Sequence, residues 1–272
     1  MPQERMTNWK PFTRRHRMFA RKQKNHSLTK RGREAFKDDV LEDLMDRSAS
    51  SLPAMNATAR IEFCRAARRS VKIRFPDGTR AYFITLAPAD FVTTLEDAYT
   101  YDWSMVQRWA EQVLEGFTYF GIVDAAPYSK TPENVSGKVV SWHIHVIIWD
   151  TDLEKVEAMI AKVNGDYEAF LPLRDAAHVV RLRRMKTIRK KVTYMLKAPL
   201  RTYRVYPMKE RGRPTGEWKQ KKDWHKPGQG VAACCFMHGA EIDKLCISGG
   251  GAGGRLLTTI VARAQRAITE TR

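Results

Sequence analysis

The stretch VVSWHIHVIIWD, residues 139 to 150, constrains this chain more than any other. It is β-branched, largely apolar and long enough to cross a sheet, yet it carries His143 and His145 one residue apart. Side chains alternate along a strand, so these histidines share a face with Ile147 and Trp149, while Trp142, Ile144, Val146 and Ile148 line the other. Two positions along a strand span about 6.7 Å, which lets both imidazoles converge on one ion. The same pattern also describes two histidines tolerated on a half-exposed strand, because a short His-x-His arises easily by chance. The rest of the chain has to decide between the two.

Around this strand the periodicity predicts further elements. RAYFITLAP (80 to 88), TYFGIVDAAPY (118 to 128) and AHVVRLRRM (177 to 185) read as strands, the first stopped by Pro88. YDWSMVQRWAEQVLEGF (101 to 117), LEKVEAMIAKV (153 to 163) and TIRKKVTYMLKAP (187 to 199) read as helices, the last ended by Pro199. A polar loop, 129 to 138, precedes the histidine strand. The order β-α-β-β-α-β-α implies an α+β fold, an antiparallel sheet with flanking helices in the ferredoxin-like or RNA-recognition-like manner. Upstream, residues 1 to 60 read as a basic arm, flexible until it meets a partner, with a short helix at 38 to 47 and a Ser/Pro/Asn linker at 48 to 58. Beyond 206 the chain reads as a basic extension with two weak helical stretches around SGGGAGG (248 to 254), itself read as a flexible connection.

Charge narrows the partner. The 272 residues carry a formal +18 and a pI of about 9.9. The excess is concentrated: residues 1 to 34 hold 11 Lys/Arg against two acids, 181 to 197 hold eight against none, and 201 to 226 hold nine against three. Such blocks attract polyanions, and phosphate neutralisation is the main source of sequence-independent nucleic-acid affinity. No apolar stretch approaches the roughly 20 residues of a membrane span, and no apolar segment backs the basic N-terminus. Cys64, Cys234, Cys235 and Cys246 do not form a disulfide pattern, and CCFMH (234 to 238) lacks paired zinc spacing. Reduced, buried thiols and a cytoplasmic location are the expectation.

The helix at 187 to 199 supplies a second unusual arrangement. Ile188, Val192, Met195 and Leu196 form an apolar stripe. Tyr194 lies about 200° from Val192, with Lys190, Lys191 and Lys197 at i−4, i−3 and i+3. A phenol is a poor nucleophile, and nearby cations together with a metal-polarised phosphate lower that barrier. A basic solvated face holding a half-buried tyrosine would look the same.

Taken in order, YFITLAP (82 to 88), WHIHVIIW (142 to 149) and VTYMLKAP (192 to 199) resemble the three motifs of HUH endonucleases, in particular plasmid-type rolling-circle replication initiators. The resemblance covers about residues 78 to 200 and implies an endonuclease domain over 70 to 205. It implies that His143 and His145 bind Mg²⁺ or Mn²⁺, and that Tyr194 attacks a phosphate of single-stranded DNA at a replication origin, leaving a 5′-phosphotyrosine and a free 3′-OH. Lys197 would assist the phenol and Lys190 and Lys191 would hold phosphates. Arg14, Arg15 and Arg17 of the basic arm are further DNA-contact candidates. The family adds a third ligand from the neighbouring strand; Asp124 matches, although glutamate is more usual there and the residue could instead cap the following turn. Ala87 stands where the family's first motif more often has threonine. With no helicase motor encoded, an initiator of this kind would recruit a host helicase.

Other readings meet the same residues less well. A histidine-triad hydrolase needs a third histidine where Ile147 stands, and a two-histidine phosphoesterase needs a second His-x-Thr/Ser motif that the chain lacks. A transposase shares the HUH site; a relaxase usually adds a third histidine. A non-catalytic binder with an RNA-recognition-like sheet would use Tyr82, Phe83, Tyr119 and Phe120 as stacking platforms.

Overall fold

The computed structural model describes residues 8–36, 38–45, 51–75, 78–131, 137–171, 174–211 and 213–270. Residues 46 and 47 of the expected short helix, 48 to 50 of the linker and 132 to 136 of the polar loop lie outside them. Among the described residues four helices come first, α1 (Trp9–Ser27), α2 (Lys30–Ala35), α3 (Asp38–Met45) and α4 (Ala57–Arg74). It continues through β1 (Ala81–Leu86), β2 (Val92–Thr94), α5 (Ser104–Val113), β3 (Thr118–Ser129), β4 (Lys138–Trp149), α6 (Leu153–Asp166), β5 (Ala177–Leu182) and α7 (Met185–Met195). A hairpin, β6 (Arg201–Glu210) and β7 (Arg213–Trp224), precedes α8 (Pro227–Phe236), β8 (Cys246–Gly249) and α9 (Gly250–Glu270).

The eight strands among the described residues form one sheet in the order β5-β1-β4-β3-β6-β7, with β2 added to β4 and β8 to β3. The fold is α+β, but the sheet is mixed where an antiparallel one was expected, because β6 runs parallel to β3. The connection from β3 to β6 passes through β4, α6, β5 and α7, and such a crossover permits parallel pairing. β4 is central, between β1 and β3. Every residue of β4 from Val139 to Trp149 is buried, so helices cover both faces and the strand reads as an almost continuous apolar run. On the face away from the histidines, Trp142 stacks on Tyr101 at 5.0 Å between ring centroids and meets Phe236 of α8. On the histidine face, Trp149 packs on Phe75, which follows α4.

The N-terminal segment departs from its reading as a flexible arm. Residues 9 to 27 form α1, with Phe12, His16, Phe19 and Gln23 on a buried stripe at i, i+4, i+7 and i+11. Seven Lys/Arg among the other positions, from Lys10 to Lys24, obscure that stripe in the sequence. Part of the expected linker is buried too, and Asn56 caps α4 by accepting from the N–H groups of Thr58 and Ala59. α4 itself was not anticipated, since arginines interrupt its apolar face. Even so, Arg60 is buried and its Nε donates to the Ala54 carbonyl at 2.6 Å.

The C-terminal elements join the same sheet. The expected boundary at 205/206 falls inside β6, and β8 pairs with β3 from Tyr119 to Ile122. SGGGAGG is the end of β8 and the first turns of α9 rather than a flexible connection. A Cβ on Gly253 would lie 2.2 Å from the Tyr119 carbonyl oxygen, so glycine there lets α9 settle directly on β3.

His16 fixes α1 to the middle of the chain. Its Nδ1 donates to the Phe12 carbonyl at 2.8 Å and its Nε2 accepts the Ala198 N–H at 3.1 Å, an assignment only the neutral ring satisfies. Burial is the main reason that its pKa falls to about 3. The folded value lies below the unfolded one, so this contribution is complete above about pH 6.5 and is lost as pH falls toward 3. At pH 5 His16 alone should cost about 2 kcal/mol relative to pH 7. Urea unfolding of His16→Gln at the two pH values should show a correspondingly smaller loss; an unchanged pH dependence would mean the ring is solvated.

Candidate metal centre

Three side chains from two adjacent strands meet on the covered face of the sheet. Asp124 of β3 lies directly opposite His143 of β4, so the ladder itself places carboxylate beside imidazole. Asp124 Oδ2 is 3.6 Å from His143 Nε2 and 3.8 Å from His145 Nε2. One ligand atom from each of the three lies within 4.8 Å of the others, and this is the sole such group among the described residues. Asp124 therefore belongs with the two histidines and does not act as a turn cap at the strand end.

The hydrogen bonds turn the histidines inward. His143 Nδ1 is 3.1 Å from the Ser141 carbonyl oxygen, which can only accept, so Nδ1 carries the proton and Nε2 presents its lone pair. His145 Nδ1 shares a hydrogen bond with Thr85 Oγ1 at 3.0 Å. His145 Nε2 is buried with no hydrogen-bond partner among the described residues, an orphaned ring nitrogen on the side of Asp124. Two imidazole nitrogens and a carboxylate oxygen suit a divalent ion such as Mn²⁺ or Zn²⁺ better than Ca²⁺, which takes oxygen ligands. This group is able to hold a metal ion.

Electrostatics favours the ligand forms. Burial lowers both imidazole pKa values; at His145, already well below the ordinary value, the neighbouring His143 and Lys197 lower it further. Protons therefore compete weakly for these nitrogens near neutral pH. Burial acts to raise the Asp124 carboxyl, but Lys197 and then His143 overcome it and hold the pKa below the usual value. Lys197 is itself buried, which disfavours its charge, yet Asp124 outweighs that and keeps it an ammonium ion. Its Nζ donates to Asp124 Oδ2, the oxygen that faces both histidines.

Tyr194 flanks the triad. Its ring centroid is 5.0 Å from that of His145 and 6.0 Å from that of Phe83. Lys197 Nζ sits 4.7 Å and Lys191 Nζ 5.7 Å from the Tyr194 centroid. The apolar stripe of α7 is buried as expected, at Ile188, Val192, Met195 and Leu196. The side opposite Val192 is not solvent, because Tyr194 leans there on the sheet. α7 ends at Met195, so Lys197 lies in the turn beyond it and can swing down to Asp124.

The other DNA-contact candidates lie elsewhere. Lys190 lines a surface cleft with Trp9, Arg68 and Lys186 and does not join the Tyr194 surroundings. Arg14 and Arg17 are exposed on α1. Arg15 is partly buried, its guanidinium 4.6 Å over the Trp224 ring, which ties it to the base of the hairpin.

Sequence reasoning missed four groups. Thr85 is one position inside the YFITLAP motif and pairs across the ladder with His145; its alternation with Phe83 was the available signal. His16 and Arg60 come from helices that were not anticipated. Lys222, 4.9 Å over the Tyr203 ring, is pushed down to about 7 by burial and then by Lys197; its strand was read as part of a basic extension. The proposed stacking aromatics Tyr82, Phe83, Tyr119 and Phe120 are all buried, so they offer no open platform to bases. Three of the cysteines are buried and all four are free thiols. No helix among the described residues is long and apolar enough to cross a membrane. Comparison with family models, with curated proteins and with solved structures yields no match to this chain.

Proposed function

We propose that the chain is a metal-dependent nuclease and strand transferase of the HUH type, which nicks and rejoins single-stranded DNA through Tyr194, as a rolling-circle replication initiator would. The observation that carries this reading is the position of Tyr194 against a ligand histidine, with Lys197 shared between the phenol ring and the acidic ligand. A structural role for two histidines and a carboxylate leaves that neighbouring tyrosine and lysine without a task. The element order β1-α5-β3-β4-α6-β5 within the mixed sheet also supports this reading.

In this reading Asp124, His143 and His145 would hold the ion. A divalent ion bound there supplies Lewis-acid polarisation of a non-bridging phosphate oxygen. The Tyr194 oxygen attacks phosphorus and loses its proton, the bond to the 3′ oxygen breaks, and that oxygen takes up a proton and leaves as a 3′-OH. The phosphate stays on Tyr194, and a 3′-OH attacking it reverses the step and regenerates the phenol. Lys197 and Lys191, both close to the Tyr194 ring, favour negative charge on the transferring phosphate.

The test is to incubate the protein with a random-sequence single-stranded oligonucleotide pool in Mn²⁺ and to look for a denaturant-stable adduct at DNA 5′ ends. EDTA, His143→Ala or His145→Ala should each lower its yield by about a hundredfold or more. Equal yield in EDTA would remove the metal from the mechanism. Retained tight DNA binding with no adduct in any metal would favour a non-catalytic binder instead.

A further inference from the structure

The hairpin of β6 and β7 carries charge that the metal centre does not use. Residues 201 to 224 hold eight Lys/Arg against Glu210, Glu217 and Asp223. Among the described residues its ladder pairs with β3 at Tyr128↔Tyr203 and Ser129↔Arg204, and the Thr202 hydroxyl donates to the Pro127 carbonyl at 3.3 Å, so the ties to β3 are confined to its base. Beyond Val205 its ladder is paired with itself alone among the described residues.

The two faces of this ribbon differ. Tyr203 and Val205 turn inward: Tyr203 stacks on Tyr128 at 4.8 Å, and Val205 is buried. The register Arg204↔Lys221 and Tyr206↔Lys219 puts those four side chains on the other face, all of them exposed. Arg204 and Lys221 are like charges directly opposite one another, a pairing that destabilises a ladder by some tenths of a kcal/mol. Arg204 has no ion-pair partner among the described residues, and the Lys221–Asp223 pair at 3.7 Å is exposed and offsets little. Lys209, Arg211 and Arg213 add exposed positive charge near the tip. A polyanion lying along this face removes the repulsion.

Shape selects among polyanions. A strand of about ten residues spans roughly 33 Å at the usual rise, and a two-stranded ribbon fits the major groove of B-DNA, which is about 12 Å wide. The base of the ribbon adjoins the proposed site, because Arg201, Tyr203 and Trp224 line a cavity with Asp124 and Lys197. There Arg201 lies 3.2 Å over the Trp224 ring, with Arg15 of α1 on the same ring, which fixes the ribbon's direction. We infer that the hairpin binds double-stranded DNA, so that a duplex lies beside the single strand presented to Tyr194. The duplex location rests on the nuclease reading; the ribbon's preference for duplex does not.

The experiment uses the full chain, a labelled duplex of about two helical turns and its single strand, with fluorescence anisotropy from about 50 to 200 mM salt. The triple variant Arg204→Thr, Lys219→Thr and Lys221→Thr keeps strand-forming residues on an exposed face. It should weaken duplex binding by about tenfold or more and reduce the salt slope by about 2 to 3, with single-strand affinity changed by less than about twofold. Unchanged duplex affinity, or equal losses on duplex and single strand, would overturn the inference. Tyr194→Phe and His143→Ala should bind duplex as the parent does. If no adduct ever forms while the triple variant still loses duplex binding selectively, the nuclease reading fails and the ribbon's role stands. If adducts form and the triple variant keeps its duplex affinity, the ribbon's role fails alone.

Discussion

Tyr194→Phe should abolish the covalent DNA adduct, a loss of at least about a thousandfold, while leaving the molecule otherwise intact. Phenylalanine keeps the ring that packs against His145 and Phe83 and deletes only the attacking oxygen. Mn²⁺ binding by calorimetry and single-strand binding by anisotropy should stay within about twofold of the parent. The other tyrosines nearby are poor substitutes. Tyr128 and Tyr203 stack on each other, and burial is the main cause that pushes both hydroxyls above their ordinary pKa. An adduct of undiminished yield in the variant would therefore refute the nucleophile assignment, and peptide mapping of that adduct would identify the residue responsible.

Lys197→Met should move metal affinity and catalysis in opposite directions. The Lys197 ammonium donates to Asp124 Oδ2, and a divalent ion shared with the two histidines needs that same oxygen. Removing the ammonium removes a competitor, so Mn²⁺ should bind more tightly, by about tenfold if the displaced pair is worth near 1.4 kcal/mol. The cation 4.7 Å from the Tyr194 ring is lost too, and adduct formation should fall by about a hundredfold even at saturating Mn²⁺. Without metal the variant leaves Asp124 buried beside neutral rings, a loss on the order of 3 to 5 kcal/mol. Its Tm should consequently rise more steeply with Mn²⁺ than that of the parent. Weaker Mn²⁺ binding in Lys197→Met would instead make Lys197 a group that orients Asp124 for the ion.

Local patterns made the central sheet legible and hid its surroundings. β1, β3, β4 and β5 follow from β-branched apolar runs ended by turn residues, and α5, α6 and α7 from apolar spacing. A period of two put His143 and His145 on one face, whereas Asp124 could be named only because the motif resemblance implies a third ligand from the neighbouring strand; the structure places it opposite His143. α1 and α4 were lost because arginine and lysine fill the positions between their core residues, and the long stems of such side chains cover apolar surface while the heads stay polar. The contact of His16 with Ala198 joins positions 182 residues apart, a distance over which no local pattern acts. The hairpin was obscured by its charge, since one face of a ribbon can be wholly basic and still pair as a strand. Lys190, grouped with Tyr194 by helical spacing alone, faces α1 because the sheet and α4 take up the other sides of α7.

The pairing of β8 with β3 also bears on when the site becomes complete during synthesis. Asp124 lies two residues beyond Ile122, the last residue that β8 pairs, and the Val123 N–H donates to the Leu245 carbonyl. Those partners leave the ribosome about 50 residues after Tyr194, whereas His16, which holds the Lys197 turn through Ala198, leaves it well before. A nascent chain that has emerged only as far as Tyr194 presents β3 with that edge unpaired, a state open to wrong pairing. Both α1 and β8 must close on the central strands before Asp124, Lys197 and Tyr194 share one rigid setting, so a product that stops short of β8 carries all three motifs without the assembled centre.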